Sequence, residues 1–230
     1  MKTQCALANN INKSVRVLFI ETKRKFKDSD IKYNLLDDLK GETISLAATI
    51  QYIGLIPKIK SYLESKGKKV IIKQGAYYEG HVLGCNSSAF DKSADILLMT
   101  TDGTFHAINN AIQVQREVYV FTTQTLEKIE QKEIDTHNKR TSAKQKKFLM
   151  LDNVGLLVST KYGQKKENIY KIKNSIEKLG KRVYIFEANN INSSEFENFP
   201  QIQIWVNTAC SGLARDDSQI VNLADILEFL

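Results

Sequence analysis

Short apolar runs alternate with longer amphipathic stretches along almost the whole chain. Four- to six-residue runs of this kind are typical of buried strands, whereas apolar positions spaced three and four apart are typical of helices. The apolar runs predict strands at 15–20, 43–48, 69–72, 81–85, 94–99, 117–121, 154–159, 182–186 and 202–210. Alternation of strands and helices predicts the α/β class with largely parallel sheets.

The amphipathic stretches between these runs have recognisable starts and stops. Asp28 or Ser29 can cap a helix that ends at Gly41, and Gly67 and Gly180 stop the helices built on Leu55–Leu63 and Ile169–Leu179. Further helices are predicted at 107–113 and at the tail, 223–230. The segment from Leu126 to Phe148 is polar and basic, and its simplest interpretation is a solvated helix.

One part of the pattern occurs twice. Lys58 to Val70 matches Lys171 to Val183 at a constant offset of 113 residues, and each copy is followed by a run that delivers a cysteine. The strand at 15–20 and its helix resemble the strand at 118–121 and the helix after it. We therefore expect repeated βαβ domains around a pseudo-threefold centre. The first would be an incomplete remnant (1–40), followed by a second repeat with the basic helix (41–150) and a third (151–230).

The chain contains three cysteines, Cys5, Cys85 and Cys210. A sparse, odd number argues against a disulfide framework, and a lone cysteine is most often a small buried hydrophobe. Cys85 and Cys210 each follow a strand-like run, so we expect them to meet at one site as metal ligands. Thiolates from three such repeats could hold three irons of a four-iron cluster and leave the fourth open. A zinc site is less well supported, because no CxxC pair occurs.

Two loops after predicted strands carry further candidates. Ser159, Thr160, Gly163 and Gln164 precede a helix, where backbone N–H groups and the helix dipole can bind a carboxylate such as that of a methionine. His106, in the loop that begins at Thr101, is a site candidate or a hydrogen-bonded turn residue.

Charge and composition change this interpretation little. The net charge is +7 and the pI about 9.1, which a lysine-rich surface explains without an anionic partner. An RNA-binding surface at 132–147 lacks interleaved aromatic residues, so no direct nucleic-acid contact is expected. No apolar run approaches the roughly 20 residues of a membrane span, and no leader pattern opens the chain. We expect no membrane contact and a cytoplasmic location.

Several motifs together resemble one family, the 3-amino-3-carboxypropyl transferases of diphthamide synthesis (2-(3-amino-3-carboxypropyl)histidine synthases). They occur in the family's order from about Val15 onward, and the segments at 15–20 and 49–51 resemble its catalytic subunit. These motifs are Val82-Leu-Gly-Cys85, Asp102-Gly-Thr-Phe-His106, Ser159-Thr-Lys-Tyr-Gly-Gln164, Glu187 and Trp205-Val-Asn-Thr-Ala-Cys210.

The resemblance implies three α/β domains that each give one cysteine to a [4Fe-4S] cluster. It implies radical use of S-adenosylmethionine to transfer the aminocarboxypropyl group to a histidine of translation elongation factor 2, the first step toward diphthamide. Cys85 and Cys210 would be cluster ligands. The S-adenosylmethionine site would consist of Asp102, His106, Ser159, Thr160, Gly163 and Gln164. The implied partners are the elongation factor, a homologous subunit and an electron-donor protein.

The sequence also departs from the family. The cysteine of the first domain is missing with most of that domain, and Cys5 stands where the family has a later thiol. Ser211-Gly212 replaces the usual Pro-Arg after Cys210, and Thr122-Thr123 replaces a Tyr-Asp-Pro. These departures leave an alternative open: an N-terminally truncated or split chain, or a non-catalytic partner subunit that docks a complete homologue or the elongation factor.

Overall fold

The computed structural model describes residues 18, 20–164, 168–215 and 217–230. Within them the chain forms two sheets flanked by helices. The strands are β1 (Thr43–Ala48), β2 (Lys69–Ile71), β3 (Ile96–Thr100), β4 (Val118–Phe121), β5 (Leu126–Ile129), β6 (Asn153–Ser159), β7 (Arg182–Ala188), β8 (Ile204–Asn207) and β9 (Ile220–Asn222). The helices are α1 (Ile56–Ser65), α2 (Thr104–Val114), α3 (Gln131–Met150), α4 (Ile169–Glu177) and α5 (Leu223–Ile226).

The four strands of the second sheet follow the same spatial order as the first four strands of the first sheet. The first has the order β2-β1-β3-β4-β5 and the second β7-β6-β8-β9. Every pair is parallel except β4 with β5. The α/β class with largely parallel sheets is therefore confirmed, whereas the pseudo-threefold arrangement stays a prediction.

The repeat seen in the sequence has a structural counterpart. Helix α1 begins at Ile56 and α4 at Ile169, and β2 begins at Lys69 and β7 at Arg182, so both pairs keep the offset of 113 residues. Each of these helices connects two strands and buries an isoleucine in its own core, Ile59 from α1 and Ile176 from α4. The amphipathic spacing predicts both helices because their apolar faces are what the sheets bury.

Two of the predicted elements discussed here differ in the structure, and a third lies mostly outside the described residues. The helix expected from Asp28 or Ser29 to Gly41 is two short 3-10 helices, Asp28–Asp30 and Tyr33–Asp38. Between them Ile31 is extended, and the Lys32 N–H donates to the Thr123 carbonyl instead of to a preceding turn. The basic segment after Leu126 contains β5 as well as α3. Residues 15–17 and 19 of the predicted first strand lie outside the described residues, as does Cys5.

Helix α3 is tied to the second half of the molecule by two buried lysines. The ammonium group of Lys144 donates to the Ala214 carbonyl. That of Lys181 donates to the carbonyls of Leu149 (3.1 Å) and Leu151 (2.8 Å), and it lies 5.1 Å from the centre of the Phe148 ring. Lys181 thus satisfies carbonyl groups at the end of α3 that have no partner within the helix. The helix is therefore solvated on one face only.

Gly155 provides the space for the large aromatic side chain of the second sheet. It pairs in register with Trp205 of β8, and a Cβ atom at Gly155 would lie 2.6 Å from Trp205 Cζ3 and 3.0 Å from Ile202 Cγ2. The Trp205 ring stacks on Phe196 with 4.1 Å between centroids and is buried. Trp205 therefore belongs to the hydrophobic core on this side of the second sheet.

The connection between β2 and β3 buries a histidine whose side chain has no hydrogen-bond partner among the described residues. His81 bridges to Ala48 at the end of β1, and neither ring nitrogen is paired. Its ring lies against Tyr77 and Tyr78, with centroids 5.7 and 6.0 Å away. Burial lowers the pKa of His81 below its usual value, while Glu21 raises it and Lys23 lowers it to smaller extents. The imidazole is therefore neutral in the folded protein at neutral pH.

We predict that Gly155→Ala destabilises the fold by about 1–3 kcal/mol, since the added methyl group overpacks the Trp205 contact. Urea unfolding followed by tryptophan fluorescence measures the change. Gly54→Ala is the matched control, because a Cβ atom there meets nothing within 4 Å. Equal stability of the two variants would contradict this packing.

We predict that the protein loses stability as the pH falls through about 6.5, in part because of His81. The unfolded chain takes up the proton near the ordinary histidine pKa, whereas the folded chain does so only at lower pH, so protonation favours unfolding. Burial lowers the pKa of His137 in the same direction. Urea midpoints at pH 7.5 and 5.5 should differ less in His81→Phe than in the unmodified chain. An unchanged difference would show that His81 carries none of the acid sensitivity.

Candidate functional site

Cys85 lies at the tip of a tight turn, not at the end of a strand. The N–H of Leu83 donates to the Asn86 carbonyl (3.0 Å) and the N–H of Asn86 donates to the Leu83 carbonyl (3.2 Å). Gly84 and Cys85 are the two central residues, and the cysteine is exposed. The strand predicted at 81–85 is thus wrong: Val82 is buried and Leu83 partly so, but only His81 bridges to a strand.

Helix α2 holds this turn in place through amide side chains. Asn110 is fully buried, and its Nδ2 donates to the carbonyls of Leu83 (2.9 Å) and His106 (2.8 Å). Gln113 Nε2 donates to the Gly84 carbonyl at 2.9 Å. The Leu83 carbonyl therefore accepts bonds both from within the turn and from the helix. This double bonding fixes the direction in which Cys85 is presented.

Cys210 lies in a loop three residues beyond β8. Asn207 Nδ2 donates to the Cys210 carbonyl and to Asn222 Oδ1, both at 2.8 Å. Thr208 Oγ1 donates to the Leu157 carbonyl at 2.8 Å. The following 3-10 helix, Ser211–Ala214, accepts the Lys144 bond at its last residue. The thiol is exposed while the backbone on both sides of it is anchored.

The ring of Phe105, at the start of α2, brings the two cysteine segments together. A Cβ atom built on Gly84 would lie 3.8 Å from Phe105 Cε1, and one built on Gly212 would lie 3.0 Å from Cζ. The sulfur atom of Cys210 is 3.7 Å from that same Gly212 position. Gly84 precedes Cys85 directly, so both cysteine-bearing segments lie near one phenyl ring. The two cysteine-bearing segments thus approach one aromatic ring and do not lie at the ends of equivalent strands. That the two thiols form one metal site stays a prediction.

The two cysteines occupy different positions in the repeated topology. Cys210 follows the third strand of its sheet, β8, whereas Cys85 precedes the third strand of its sheet, β3. Asp102 and His106 follow β3 and thus stand where Cys210 stands in the other half. The expectation of equivalent cysteines at strand ends is corrected accordingly.

The loop after β6 forms a defined turn beside Cys210. The N–H of Thr160 donates to the Ala188 carbonyl, and the N–H of Lys161 donates to Ser159 Oγ. The N–H of Gln164 donates to the Lys161 carbonyl, with Gly163 at φ +78° between them. A positive φ at this third turn position suits glycine. The turn thus accounts for the serine at 159 and the glycine at 163 of the Ser159–Gln164 motif.

A cavity of about 310 Å³ opens between this loop and the Cys210 segment. The residues that line it are Phe105, Ser159, Lys161, Gln164, Asn189, Ile191, Cys210, Gly212 and Leu213. Ser159, Gln164 and Cys210 were predicted as site residues. Phe105, Lys161, Asn189, Ile191, Gly212 and Leu213 were not. Phe105 and Lys161 lie inside motifs that the sequence analysis singled out, whereas no sequence signal marks Asn189 or Ile191.

The remaining predicted residues lie around this cavity or on the α2 side of Phe105. Thr160 and Gly163 are exposed parts of the loop and do not line the cavity. Asp102 is exposed just before α2, where Thr101 Oγ1 donates to it at 3.4 Å. His106 lies within the first turn of α2, not in a loop, and a Cβ atom on Gly84 would lie 3.6 Å from its Cδ2. His106 is thus next to the Cys85 turn.

Two basic side chains lie next to Phe105 and the cavity. The Arg215 guanidinium lies 4.8 Å from the centre of the Phe105 ring, and Lys161 borders the cavity. Among the described residues, no group of three or more His, Cys, Asp or Glu side chains could hold a metal ion. Cys5 lies outside those residues. No helix of the described chain is long and apolar enough to cross a bilayer.

Comparison with known proteins agrees with the resemblance seen in the motifs. The chain is 26% identical over 181 residues to the 2-(3-amino-3-carboxypropyl)histidine synthase of Pyrococcus horikoshii, which is 77% of this chain and 52% of the relative. It is 21% identical to subunit 1 of the enzyme of that name from Gallus gallus, over 92% of this chain and 53% of the relative. The chain thus spans about half the length of these relatives.

Solved structures share the fold. Dph2 from P. horikoshii superposes with a TM-score of 0.73 at 24% identity, covering 85% of this chain and 59% of that one. The same protein solved with a 4Fe-4S cluster gives 0.72 at 24% identity, covering 86% and 60%. The family model for diphthamide synthesis proteins matches residues 4–220, nearly the whole sequence. The chain therefore belongs to the diphthamide synthesis protein family.

Proposed function

We propose that this chain is part of an enzyme that modifies translation elongation factor 2. In this proposal the 3-amino-3-carboxypropyl group of S-adenosylmethionine is transferred to a histidine of the factor, the first step of diphthamide synthesis. The relatives' names support the transferred group and the histidine acceptor. The observation that carries the proposal is the pair of exposed thiols whose segments lie near Phe105, beside a cavity lined in part by Ser159, Lys161 and Gln164.

Cys85 and Cys210 suit a [4Fe-4S] cluster, since both are free, exposed and presented by anchored backbone. When bound, a reduced cluster supplies the electron for breaking a carbon–sulfur bond of a sulfonium. A third protein ligand would come from outside the described residues or from a homologous subunit. Buried amide bonds at Asn110 and Asn207 would keep the two thiols in position when the cluster is absent.

The cavity next to Cys210 is suited to the amino-acid end of S-adenosylmethionine. Its volume is at the lower end of the range for small-molecule pockets. The Ser159 hydroxyl, the Gln164 amide and the Lys161 ammonium group offer donors for a carboxylate, with Thr160 and Gly163 shaping the loop. Asp102 and His106, on the α2 side of Phe105, can contact the amino group or the acceptor imidazole. This chain's residues would thus orient the sulfonium toward the thiols.

A second function is consistent with the length of the chain. Because it spans about half of the curated relatives, a non-catalytic subunit that docks a complete homologue or the elongation factor is the alternative. The two candidates differ in whether the chain holds iron itself. An electron-donor protein is needed only for the enzymatic one.

We predict that anaerobic reconstitution with iron and sulfide loads the chain, and that Cys85→Ala and Cys210→Ala each lose most of the bound iron. Iron and sulfide analysis with electron paramagnetic resonance of the reduced protein measures this. Ser211→Ala, one residue beyond Cys210, is the control and should load normally.

The outcome separates the two candidates. Iron bound equally by the alanine variants would argue against these ligands. An iron-free chain that co-purifies with a full-length relative, and activates it toward the elongation factor, would favour the non-catalytic subunit.

We predict that Asn110→Leu reduces iron retention several-fold without removing a thiol. The leucine cannot donate to the Leu83 carbonyl, and a lost buried bond of this kind costs about 1–3 kcal/mol, so the Cys85 turn loosens. The rate of Cys85 alkylation should rise. Asn138→Ala, which removes an amide bonded to Gln115 just beyond α2 and not to the turn, should change neither quantity. Unchanged alkylation in Asn110→Leu would contradict the assigned role.

A further inference from the structure

The Phe105 ring lies close to both of the segments that carry the cysteines. Its ring faces Gly84 through Cε1 and Gly212 through Cζ and Cε2, so the two segments meet different atoms of the ring. The ring is 44% exposed, which means that burial in the core does not explain its position. Its neighbours include both of the segments that carry Cys85 and Cys210.

Several neighbours restrict the ring to this place. The Arg215 guanidinium lies over one face at 4.8 Å. The His106 ring meets it edge-on, with centroids 5.5 Å apart and an angle of 85°. Gly212 has no side chain at the point of contact, where a Cβ atom would press on Cζ at 3.0 Å. A Cβ atom at 212 would therefore require the ring to shift by a few tenths of an ångström.

We propose that Phe105 is a positioning residue that sets the spacing of Cys85 and Cys210, keeping the thiols from closing into a disulfide while leaving both open to a shared ligand. The shared ligand rests on the proposed function, whereas the spacing does not. A disulfide needs Cβ atoms about 3.8 Å apart. In this proposal Phe105 fills the space between the two segments, and its ring would have to move aside before the two Cβ atoms could approach to that distance.

The chemistry that Phe105 would suppress is ordinary thiol oxidation. Two thiols lose two protons and two electrons, one sulfur–sulfur bond forms, and a two-electron oxidant such as a diazenedicarboxamide is reduced to the hydrazine. Closure would remove both thiols from metal binding. A side chain that blocks closure therefore preserves the metal-free protein in a form that can still be loaded.

The test uses the full metal-free chain in a Cys5→Ser background, so that two thiols remain. After treatment with the diazenedicarboxamide, the chain with Phe105 should keep two free thiols, and Phe105→Ala should lose both and give a Cys85–Cys210 peptide by mass spectrometry. Tyr184→Ala, a control of matched exposure at 45%, should keep both. Phe105→Met, which restores side-chain length, should retain most of the free thiol.

Two results would overturn the proposal. One is equal disulfide formation with and without Phe105, and the other is closure in Phe105→Met to the same extent as in Phe105→Ala. If Phe105→Ala fails to fold by circular dichroism, Phe105→Val provides the same test, because its side chain ends before the positions of Cε1 and Cζ. Increased disulfide formation in Phe105→Val would support the spacer and unchanged formation would overturn it.

Iron loading of these variants separates this inference from the proposed function. Thiol closure on removal of Phe105, in a protein that never binds iron, would leave the spacer intact and reject the cluster. Normal iron loading of the unmodified chain, together with two free thiols in oxidant-treated Phe105→Ala, would support the cluster and reject the spacer.

Discussion

The presentation of both thiols depends on two buried asparagine side chains. Asn110 and Asn207 lie on different halves of the molecule, and each donates to a backbone carbonyl in a cysteine-bearing segment. A buried amide that lost its acceptor would incur the desolvation cost of an unpaired polar group. Each segment is thereby held by a bond that is expensive to break, although its cysteine is exposed. Rigid backbone beneath an exposed thiol is what a ligand site needs in the absence of its ligand.

The fold was predictable where burial alone determines the element. The runs that became β1, β3, β6 and β8 are continuous and apolar because parallel strands are covered on both faces. Strand β5 was missed, since Leu126-Glu-Lys-Ile129 is an edge strand with two exposed charges. The helix predicted at 28–39 failed for a different reason: a long-range bond from Lys32 to Thr123 interrupts it, and periodicity carries no signal of such a bond.

The candidate site was predictable in some of its residues but not in its geometry. The motifs around Cys85, Cys210 and Ser159 identified most of the polar groups near the cavity. They could not indicate that Cys85 lies in a turn, because Val82 and Leu83 are apolar whether or not they form a strand. They also could not identify Phe105 as the residue that both segments lie near. That role depends on the absence of side chains at Gly84 and Gly212, which lie 128 positions apart in the sequence.

The inequivalence of the two cysteines suggests how a duplicated framework can build an asymmetric site. If both cysteines occupied the same position in each half, the symmetry of the repeat would fix their separation. Here one precedes the third strand and the other follows it, so the separation is set by loops and by the side chain between them. In the first half, the position that corresponds to Cys210 is taken by the segment carrying Asp102, Phe105 and His106. The first half has no cysteine at that position and instead places an aromatic ring and two polar side chains near the cysteine-bearing segments. The repeated strands and helices thus form the scaffold, and the side chains that distinguish the two halves lie at the candidate site.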